Sequence, residues 1–208
     1  MAANSPAGAP RPRVVLATRN AHKVAELNRI LAHTGFTGEL VGLDEFPDAP
    51  EVAETGRTFA DNALLKARAI AAHTQLPAVS DDSGLTVHAL NGMPGILSAR
   101  WAGKHGEDDA NLELVLGQLA DVAERGAAFI CVAALVLPGG GGEWTATGVL
   151  AGTLTRARRG GNGFGYDPIF VPEGLDTTTA ELAPAEKDAI SHRGRAFRSI
   201  APLIAAHA

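Results

Sequence analysis

The 208-residue sequence contains a single cysteine, Cys131, and this scarcity limits the chemistry that the chain can perform. One thiol excludes a disulfide bond within the chain and a zinc site built from several cysteines. Cys131 lies in the apolar run from Phe129 to Leu137, a setting that favours a buried structural thiol over a reactive one. The sequence therefore argues against thiol catalysis.

Long hydrophobic runs are also absent. The run 129–137 is far shorter than the roughly 20 residues that a helix needs to cross a bilayer. The N-terminal segment is rich in alanine, proline and glycine and contains no apolar stretch typical of a signal peptide. We therefore expect a cytoplasmic protein that does not contact membranes, with residues 1–13 forming a flexible N-terminal tail.

An excess of positive charge is missing as well. Lysine and arginine together number 18, aspartate and glutamate number 23, and the formal net charge is −5 with a pI near 5.8. Long nucleic acids are bound through basic surfaces, so this composition argues against a DNA- or RNA-binding protein. A small anionic ligand stays compatible with it, because such a ligand needs only a local cluster of cations.

Apolar residues, by contrast, are plentiful. Hydrophobic residues make up 46% of the chain, and the mean hydropathy is +0.05. This composition excludes a disordered chain, which needs low hydrophobicity and high net charge. The length fits one compact domain of roughly 100–200 residues, and no internal repeat or long linker divides it. We predict a single domain over residues 14–208.

The order of the sequence patterns predicts an α/β fold with a mixed central β-sheet flanked by helices. Predicted strands cover residues 14–17, 40–41, 77–80, 85–90, 128–137, 144–150 and 169–171. Predicted helices cover residues 24–31, about 58–73, about 108–125 and the segment after Ser191. Gly35 is expected to stop the first helix. Thr58 and Asp61 have the spacing of a helix N-terminus, with a capping hydroxyl and an acid three residues later.

The segment 18–23 lies between a predicted strand and a predicted helix. A helix start presents unpaired backbone N–H groups and the positive end of the helix dipole, and Lys23 adds a full charge, so the segment suits a phosphate group. It is not a P-loop, because Gly-x-x-x-x-Gly-Lys-Ser/Thr occurs nowhere in the chain. The alternative is an ordinary strand–helix turn with a solvated lysine.

Two adjacent acids, Asp81 and Asp82, follow the predicted strand 77–80, and the carboxyl ends of strands are where α/β sheets place their sites. Adjacent carboxylates are costly to crowd together unless a positive charge lies between them. Oxygen-rich sites of this kind suit Mg²⁺, which takes one or two carboxylates together with substrate phosphates and water. Glu54, beside a glycine turn, would be a third acid. The alternative is an Asp-Asp turn exposed to water.

A glycine-rich segment, residues 161–168, carries Phe164 and Tyr166 between glycines, which favours a backbone that approaches a flat ligand and a ring that stacks on it. Its spacing differs from the Gly-x-Gly-x-x-Gly dinucleotide fingerprint. Lys187 precedes His192 and Arg193 near a predicted helix start, an arrangement suited to anions or carbonyl groups. The alternatives are a glycine-rich surface loop and a serine N-cap with solvated charges.

Several catalytic motifs are missing. The chain has no Gly-x-Ser-x-Gly nucleophile elbow and no His-Glu-x-x-His metal motif. Apart from His192, the histidines are scattered without metal-ligand spacing, and we interpret them as surface or packing residues: His22, His33, His73, His88, His105 and His207. Serine-nucleophile and zinc-protease chemistry are therefore not indicated.

Taken in order, these segments resemble the Ham1/RdgB-type inosine triphosphate pyrophosphatase family. The resemblance covers about residues 14–204, and its Phe-Gly-Tyr-Asp and Ser-His-Arg-Gly elements are specific. The segments that carry it are 17–23, 54–59, 62–67, 80–85, 91–95, 98–100, 163–170, 180–182, 187 and 190–194. Two positions depart from the family pattern. Leu150 stands where members often have tryptophan, and Ala53 precedes Glu54 where members often have a pair of acids.

The resemblance implies an ITPase-like fold of two lobes with the active-site cleft between them, in an enzyme that works as a homodimer. It implies Mg²⁺-dependent hydrolysis of the nonstandard purine nucleoside triphosphates ITP, dITP and XTP to nucleoside monophosphate and pyrophosphate, which removes them from the nucleotide pool. An alternative of another class is a nucleotide sensor that binds the same ligands without turnover. Intact acids at positions 54, 81 and 82 favour the enzyme.

The resemblance also implies roles for individual residues. Asp82 would bind Mg²⁺ and accept the proton of the attacking water, Glu54 would be a second metal ligand, and Ser83 would touch substrate. The triphosphate would be held by Thr18, Arg19, Asn20, Ala21, His22, Lys23 and Lys66. The base pocket would be formed by Phe164, Gly165, Tyr166, Asp167, Lys187, His192 and Arg193.

Overall fold

The computed structural model describes residues 12–19, 21–32, 34 and 36–207. Residues 1–11, which form most of the predicted tail, lie outside this set. So do Asn20, His33 and Gly35, together with the side chains of Ala21 and His22. What the sequence predicts for these positions stays a prediction.

Strands and helices alternate through most of the described residues. The strands are β1 (Arg13–Leu16), β2 (Glu39–Val41), β3 (Ala78–Val87), β4 (Gly126–Val136), β5 (Glu143–Leu154) and β6 (Phe170–Pro172). The helices are α1 (Ala21–Ala32), α2 (Phe59–Thr74), α3 (Asp108–Gln118), α4 (Pro184–Ile190) and α5 (His192–His207). Among the described residues, no helix combines the length and the apolar character needed to cross a membrane.

All the described strands join one sheet, in the order β2-β1-β3-β4-β5-β6. β1 runs parallel to β2 and to β3, because a helix connects each strand of this part to the next. β3, β4, β5 and β6 pair in antiparallel fashion. The predicted mixed sheet with flanking helices is confirmed.

Strand alternation divides the apolar residues between the two faces of the sheet. Val14 and Leu16 pack with α1 and α5 around Phe197, whereas Val15 packs on the opposite face with Ala67 of α2. A third apolar cluster lies at the other end of the sheet, around Leu85, Leu112, Phe129, Leu150 and Phe170. Between these clusters, residues 80–84 of β3 are polar or glycine. The clusters therefore fix β3 on both sides of a polar stretch.

The N-terminus of α2 has the predicted cap. The Asp61 N–H donates to Thr58 Oγ1 at 3.1 Å, and the Thr58 N–H donates to the Asp61 carboxylate at 3.0 Å. A cap of this kind stabilises a helix by about 1 kcal/mol. It fixes the start of the helix that carries Asn62 and Lys66, four residues apart, on one face.

Some predicted boundaries are wrong. β3 continues from Ala78 to Val87, so Asp81 and Asp82 lie inside a strand and not in a turn after it. The strand can continue because β4 pairs with it along its whole length and because each carboxylate lies within 4 Å of a lysine. Residues 88–90, predicted as strand, form a short 3₁₀ helix, and α3 ends at residue 118 and not near residue 125.

Other elements begin earlier, run longer or were not predicted at all. β1 begins at Arg13, one residue before the predicted domain start, and β5 extends to Leu154. The sequence patterns miss α4, although Pro184 at its first turn is a signal for a helix start. The C-terminal helix begins directly after Ser191, as predicted.

Cys131 lies in the middle of β4 and is buried, as predicted. Burial raises the pKa of its thiol, so the sulfur stays protonated at neutral pH. The expectation of an inert structural cysteine is therefore supported by its surroundings.

Candidate active site

A large cleft opens beside β3 at the point where β1 ends. β1 pairs with β3 only as far as Leu16 opposite Val79, so it leaves the next residues of β3 uncovered along that edge. The cleft has a volume of about 620 Å³, within the range of roughly 300–1,000 Å³ that is typical of small-molecule sites. Its walls come from both ends of the sheet.

The cleft collects residues that are far apart in the sequence. Predicted site residues that line it are Thr18, Arg19, Lys23, Glu54, Lys66, Asp82, Ser83, Phe164, Gly165, Tyr166, Asp167, Lys187, His192 and Arg193. The other predicted site residues are Asn20, which lies outside the described residues, and Ala21 and His22, whose side chains do. The sequence patterns thus select residues that meet in one place.

The two adjacent acids of β3 point to opposite faces of the sheet, because side chains alternate along a strand. Asp82 faces α2 and lines the cleft. Asp81 faces α1 and α5 and is only 2% exposed. The strand therefore separates two carboxylates that a turn would crowd together, and each one has its own partners.

Asp82 is contacted by two residues of α2. Asn62 Nδ2 donates to Asp82 Oδ2 at 3.0 Å, and Lys66 Nζ lies 3.8 Å from Asp82 Oδ1. Burial raises the pKa of Asp82, and the nearby Glu54 raises it further, while Lys66 opposes both without cancelling them. A carboxylate that lines a cleft and holds a proton more readily than usual has the properties of a general base.

Glu54 lies beside the same lysine. The Lys66 ammonium donates to Glu54 Oε1 at 2.5 Å, and Arg100 NH1 lies 3.6 Å from Glu54 Oε2. Burial raises the pKa of Glu54, but Lys66 outweighs burial, so the pKa is lower than usual. Burial lowers the pKa of Lys66, but the surrounding carboxylates outweigh it and raise that pKa. Both groups are therefore charged at neutral pH.

The donor atoms of Glu54 and Asp82 are of the type that Mg²⁺ prefers, and both carboxylates approach one ammonium group. Among the described residues, no group of three or more acidic, histidine or cysteine side chains could hold a metal ion. Mg²⁺ commonly takes only one or two carboxylates from a protein and completes its shell with substrate phosphates and water. These residues therefore fit Mg²⁺ that binds together with a phosphate ligand.

Asp81 accepts hydrogen bonds from cationic side chains of two helices. Lys23 Nζ of α1 donates to both carboxylate oxygens, at 3.1 and 3.0 Å, and Arg193 Nε of α5 donates to Oδ2 at 3.3 Å. Ser83 Oγ also donates to Oδ2, at 3.2 Å. Burial alone would raise the pKa of Asp81, but Lys23 and Arg193 outweigh burial and hold it well below its usual range. Asp81 is thus a permanent anion that joins two cations.

Arg193 is almost fully buried, with 2% of its surface exposed. NH1 donates to Glu26 of α1, NH2 donates to Ser83 Oγ at 2.9 Å, and Nε donates to Asp81. Burial lowers the pKa of this guanidinium, but the two carboxylates outweigh burial, so the pKa is raised and the charge is permanent. Bonds from three nitrogen atoms restrict the group to one orientation beside the cleft.

The glycine-rich segment forms a turn around Asp167. Asp167 Oδ2 accepts the Phe164 N–H at 2.9 Å and Lys187 Nζ at 2.5 Å, and Oδ1 accepts Thr179 Oγ1 at 2.8 Å. Gly163 has φ +77°, and a Cβ there would lie 2.1 Å from Asp167 Oδ2, so only glycine fits. Asp167 therefore determines the conformation of the loop.

The Phe164 ring lies close to two cations. Lys187 Nζ is 5.1 Å from the ring centroid, and the guanidinium carbon of Arg193 is 5.7 Å from it. Both distances allow an attractive contact with an aromatic ring. Because the ring also lines the cleft, it provides a flat surface on which a base can stack.

Two hydrogen bonds tie this loop to neighbouring segments. The Tyr166 hydroxyl donates to the Ser98 carbonyl at 2.8 Å, and the Gly165 N–H donates to Asp108 Oδ2 at 2.9 Å. Burial raises the pKa of Tyr166, and Asp108 adds to the effect, so the hydroxyl keeps its proton. The loop that carries Phe164 is therefore held on both sides.

His192 begins α5 and stacks on Phe129, with ring centroids 4.9 Å apart. Its Nδ1 is buried and has no hydrogen-bond partner in the described part of the chain. Burial lowers the pKa of His192 well below its usual value, and Arg193 and Lys187 lower it further. The ring is therefore neutral at physiological pH and offers one donor and one acceptor nitrogen.

The predicted phosphate segment lies where β1 gives way to α1. Thr18 and Arg19 line the cleft, and Arg19 NH2 donates to the Ala49 carbonyl at 2.8 Å. α1 begins at Ala21, three residues before the predicted helix, so Lys23 lies in its first turn and not in the segment that precedes it. The helix start and the lysine thus lie together at one end of the cleft.

Sequence reasoning missed several contributors to this site. The spacing places Asn62 on the face of α2 that carries Lys66, but it does not indicate the bond with Asp82. Glu26 lies one turn after Lys23 on α1, a spacing that could have suggested a shared site. Asp108 has no such signal, because its contact with Gly165 joins segments that are distant in sequence. His105, expected on the surface or in packing, is exposed and lines the cleft.

Paired acids and lysines that line the cleft suit phosphates, and an aromatic ring near two cations suits a flat base. The fold and this cleft define a class, the α/β proteins with a site of nucleotide size and polarity. Residues 14–203 match the model of the Ham1 family. The chain belongs to the Ham1 family.

Known proteins resemble the chain over nearly its whole length. It is 59% identical over 194 residues to the dITP/XTP pyrophosphatase of Streptomyces avermitilis, and the match covers 92% of this chain and 96% of that protein. The crystal structure of a nucleoside-triphosphatase / dITP/XTP pyrophosphatase from Mycobacterium abscessus has 52% identity and a TM-score of 0.74, over 92% and 98% of the two chains. A HAM1 protein from Coxiella burnetii has 43% identity and a TM-score of 0.84, over 93% and 98%.

Proposed function

We propose that this protein hydrolyses the nonstandard purine nucleoside triphosphates ITP, dITP and XTP to nucleoside monophosphate and pyrophosphate. The observation that carries the proposal is the cleft itself, which is lined by Asp82 and Lys66 and also by the ring of Phe164. The name of the Streptomyces avermitilis relative, dITP/XTP pyrophosphatase, supports the same substrate class.

The phosphates would lie between Lys23 and Lys66. Both lysines line the cleft, and they reach it from opposite faces of the sheet. Fixed cations of this kind stabilise the charge that develops on a departing pyrophosphate. Water would then attack the α-phosphorus, and Asp82, whose pKa is raised by burial, would accept its proton.

Glu54 and Asp82 would hold Mg²⁺ together with the substrate phosphates. When bound, this ion would neutralise phosphate charge and lower the pKa of water. Lys66 contacts both acids, so it would keep their carboxylates close to each other while the site is free. Asn62 would hold Asp82 in place through its bond to Oδ2.

The base would stack on Phe164 and face Lys187, His192 and Arg193. These side chains can donate hydrogen bonds, and hypoxanthine and xanthine have a 6-oxo acceptor where adenine has a 6-amino donor. Placing a donor against a donor costs about 1–3 kcal/mol for each buried group left unpaired. Two such mismatches would favour ITP over ATP by roughly 10²–10⁴-fold.

The resemblance to the family leads us to propose also that the protein acts in the cytoplasm as a homodimer and removes these nucleotides from the pool. Sedimentation of the purified chain tests whether it is a homodimer. A single species with twice the 21.4 kDa chain mass is the expected result.

A sensor that binds nucleotides without turnover is the second candidate. It would need the stacking ring and the cations but would have no use for a proton acceptor. The position of Asp82 in the cleft, with its raised pKa, favours the enzyme.

A substrate panel tests the proposed function and separates it from the sensor. The purified chain is incubated with ITP, dITP, XTP, GTP and ATP in Mg²⁺ or in EDTA, and pyrophosphate and orthophosphate are measured separately. We expect pyrophosphate from ITP, dITP and XTP in Mg²⁺, far less from ATP, intermediate or low values for GTP, and none in EDTA. In ¹⁸O water the label should enter the monophosphate. Orthophosphate as first product would contradict the proposal, and binding without turnover would support the sensor.

A further inference from the structure

We propose that Asp81 is a positioning residue with two effects: it restrains the attraction of Lys23 for phosphate, and it sets base selectivity by orienting Arg193 beside Phe164. The inference rests on the proposed function, because it concerns how the same cleft chooses among nucleotides. It gives a role to a buried acid that the reaction itself does not use.

Asp81 is placed to act through other residues and not on a ligand. Its side chain is 1% exposed, and it is not among the residues that line the cleft. Lys23 and Arg193, which it contacts, both line the cleft. A change at Asp81 therefore reaches a nucleotide only through these two cations.

The first contact of Asp81, with Lys23, weakens the attraction between this lysine and a phosphate. Lys23 Nζ lies 3.1 and 3.0 Å from the two oxygens of Asp81, so the carboxylate offsets most of the charge that the lysine presents to the cleft. Attraction between Lys23 and a phosphate does not depend on the base. If position 81 were neutral, phosphate attraction would increase for every nucleotide.

The second contact of Asp81, with Arg193, orients the guanidinium group that would face the base. Arg193 Nε donates to Asp81 Oδ2 at 3.3 Å, and Ser83 Oγ bridges Arg193 NH2 to the same oxygen. This triangle holds the guanidinium carbon 5.7 Å from the Phe164 centroid. An asparagine amide at position 81 has no charge and one acceptor oxygen in place of two. With that oxygen at the Oδ2 position it would hold Arg193 more weakly, and its NH₂ group at the Oδ1 position would face Lys23.

The charges around Asp81 balance before any ligand enters. Lys23 and Arg193 contribute two positive charges, and Asp81 and Glu26 contribute two negative charges. Loss of the Asp81 charge leaves one uncompensated positive charge and a less restricted guanidinium. Only the second consequence lowers selectivity. The first strengthens the binding of every nucleotide equally and leaves the ratio of their affinities unchanged, whereas the second weakens the binding that recognises the base.

Binding of the two halves of the substrate separates these effects without turnover or metal. Isothermal titration calorimetry in EDTA measures Kd for pyrophosphate, inosine 5′-monophosphate (IMP) and adenosine 5′-monophosphate (AMP). The variants are Asp81→Asn, which removes the charge, and Asp81→Glu, which keeps it but displaces it. The control is Glu143→Gln, which removes a carboxylate that also binds an arginine, Arg68, on the surface.

We expect Asp81→Asn to bind pyrophosphate about two- to tenfold more tightly than the wild type. The ratio of the AMP Kd to the IMP Kd should fall at least about fivefold, as expected for the loss of one oriented hydrogen-bonding group. Asp81→Glu should keep the wild-type affinity for pyrophosphate and lose the same selectivity. Glu143→Gln should match the wild type for all three ligands.

Three results would overturn the inference. An unchanged ratio in folded variants would show that Asp81 does not orient Arg193, and it is also the outcome expected if Asp81 acted only as a metal ligand. Weaker binding of pyrophosphate by Asp81→Asn would show that Lys23 depends on Asp81 and is not restrained by it. Equal weakening of all three ligands would indicate a general loss of the site.

Thermal unfolding establishes which variants are folded, and Asp81→Glu, which keeps every charge, decides the orientation part if Asp81→Asn is not folded. If the wild type binds IMP and AMP equally, the base preference of the proposed function is wrong. In that case the pyrophosphate measurement still decides whether Asp81 restrains Lys23.

Discussion

The two faces of β3 each hold one carboxylate, Asp81 towards α1 and α5 and Asp82 towards α2. Asp81 is 2% exposed, and its neighbours hold its pKa well below the usual range. Asp82 is 7% exposed, and its pKa is raised. Adjacent residues of one type thus have opposite acid–base behaviour, so the number and distance of the surrounding cations decide it and burial alone does not.

The distances explain the difference. Lys23 contacts both oxygens of Asp81 near 3 Å, and Arg193 adds a second cation at 3.3 Å. Asp82 has Lys66 at 3.8 Å, and that lysine lies closer to Glu54, at 2.5 Å. Because Glu54 takes most of the compensation from Lys66, the burial of Asp82 is not offset.

The substitution Asp82→Asn should have the largest effect. A small effect would contradict the contrast between Asp82 and Asp81. Asparagine has the same shape, so we expect the fold to persist while kcat for ITP falls by about 10²–10⁴-fold, the usual contribution of a general base. Pyrophosphate release at saturating ITP measures the loss, and thermal unfolding checks the fold. A variant that keeps most of its Mg²⁺-dependent activity would remove Asp82 from the proton-accepting role.

The substitution Asn62→Leu tests whether Asn62 holds the two acids beside α2, Asp82 and Glu54, in place. Asn62 Nδ2 donates to Asp82, and Asn62 Oδ1 accepts the Gly56 N–H at 2.8 Å, two residues from Glu54, so one amide positions both acids. Residues that hold metal-binding groups in place typically contribute about 10–100-fold, and we expect a loss of this size in kcat/KM for ITP.

Thr58→Ala is the matched control for Asn62→Leu. It removes the cap of the same helix without touching the acids, so we expect a lower Tm, from a loss of about 1 kcal/mol, with kcat/KM unchanged. If Asn62→Leu also lowered stability alone, Asn62 would be a packing residue and not a support for the acids.

The smallest expected effect is a pH dependence of stability that comes from His192, a neutral residue on the Asp81 side of the strand. Its pKa is lowered in the folded protein, so below about pH 6.5 the unfolded chain binds a proton that the folded chain does not. Stability should therefore decrease as the pH falls below that value, by up to about 1.4 kcal/mol per pH unit from this residue.

Urea unfolding at pH 7.5, 6.5 and 5.5 measures this slope. His192→Gln should be less sensitive to pH than the wild type. Equal slopes for wild type and His192→Gln would mean that His192 is protonated in the folded protein.

Local patterns predicted much of the fold. The apolar strand at Val14, the cap at Thr58 and the helix after Ser191 depend on residues close in sequence, and all three are present. The end predicted for a strand at Ser80 is wrong, because a run of polar residues is read as a turn when its partners are unknown. Only the tertiary structure shows that β4 pairs with these residues and that cations contact their carboxylates.

The sequence by itself indicated most of the strands and helices and many of the residues that meet in the cleft, since composition, periodicity and spacing are local properties. The tertiary structure decided what each carboxylate does. Lys23 and Arg193 lie 58 and 112 positions from Asp81, and only the packing of α1 and α5 on one face of β3 brings them to it. Strand alternation turns Asp82 to the other face, where the cations are fewer and farther away, because electrostatic interactions depend on distance in space and not on separation along the chain.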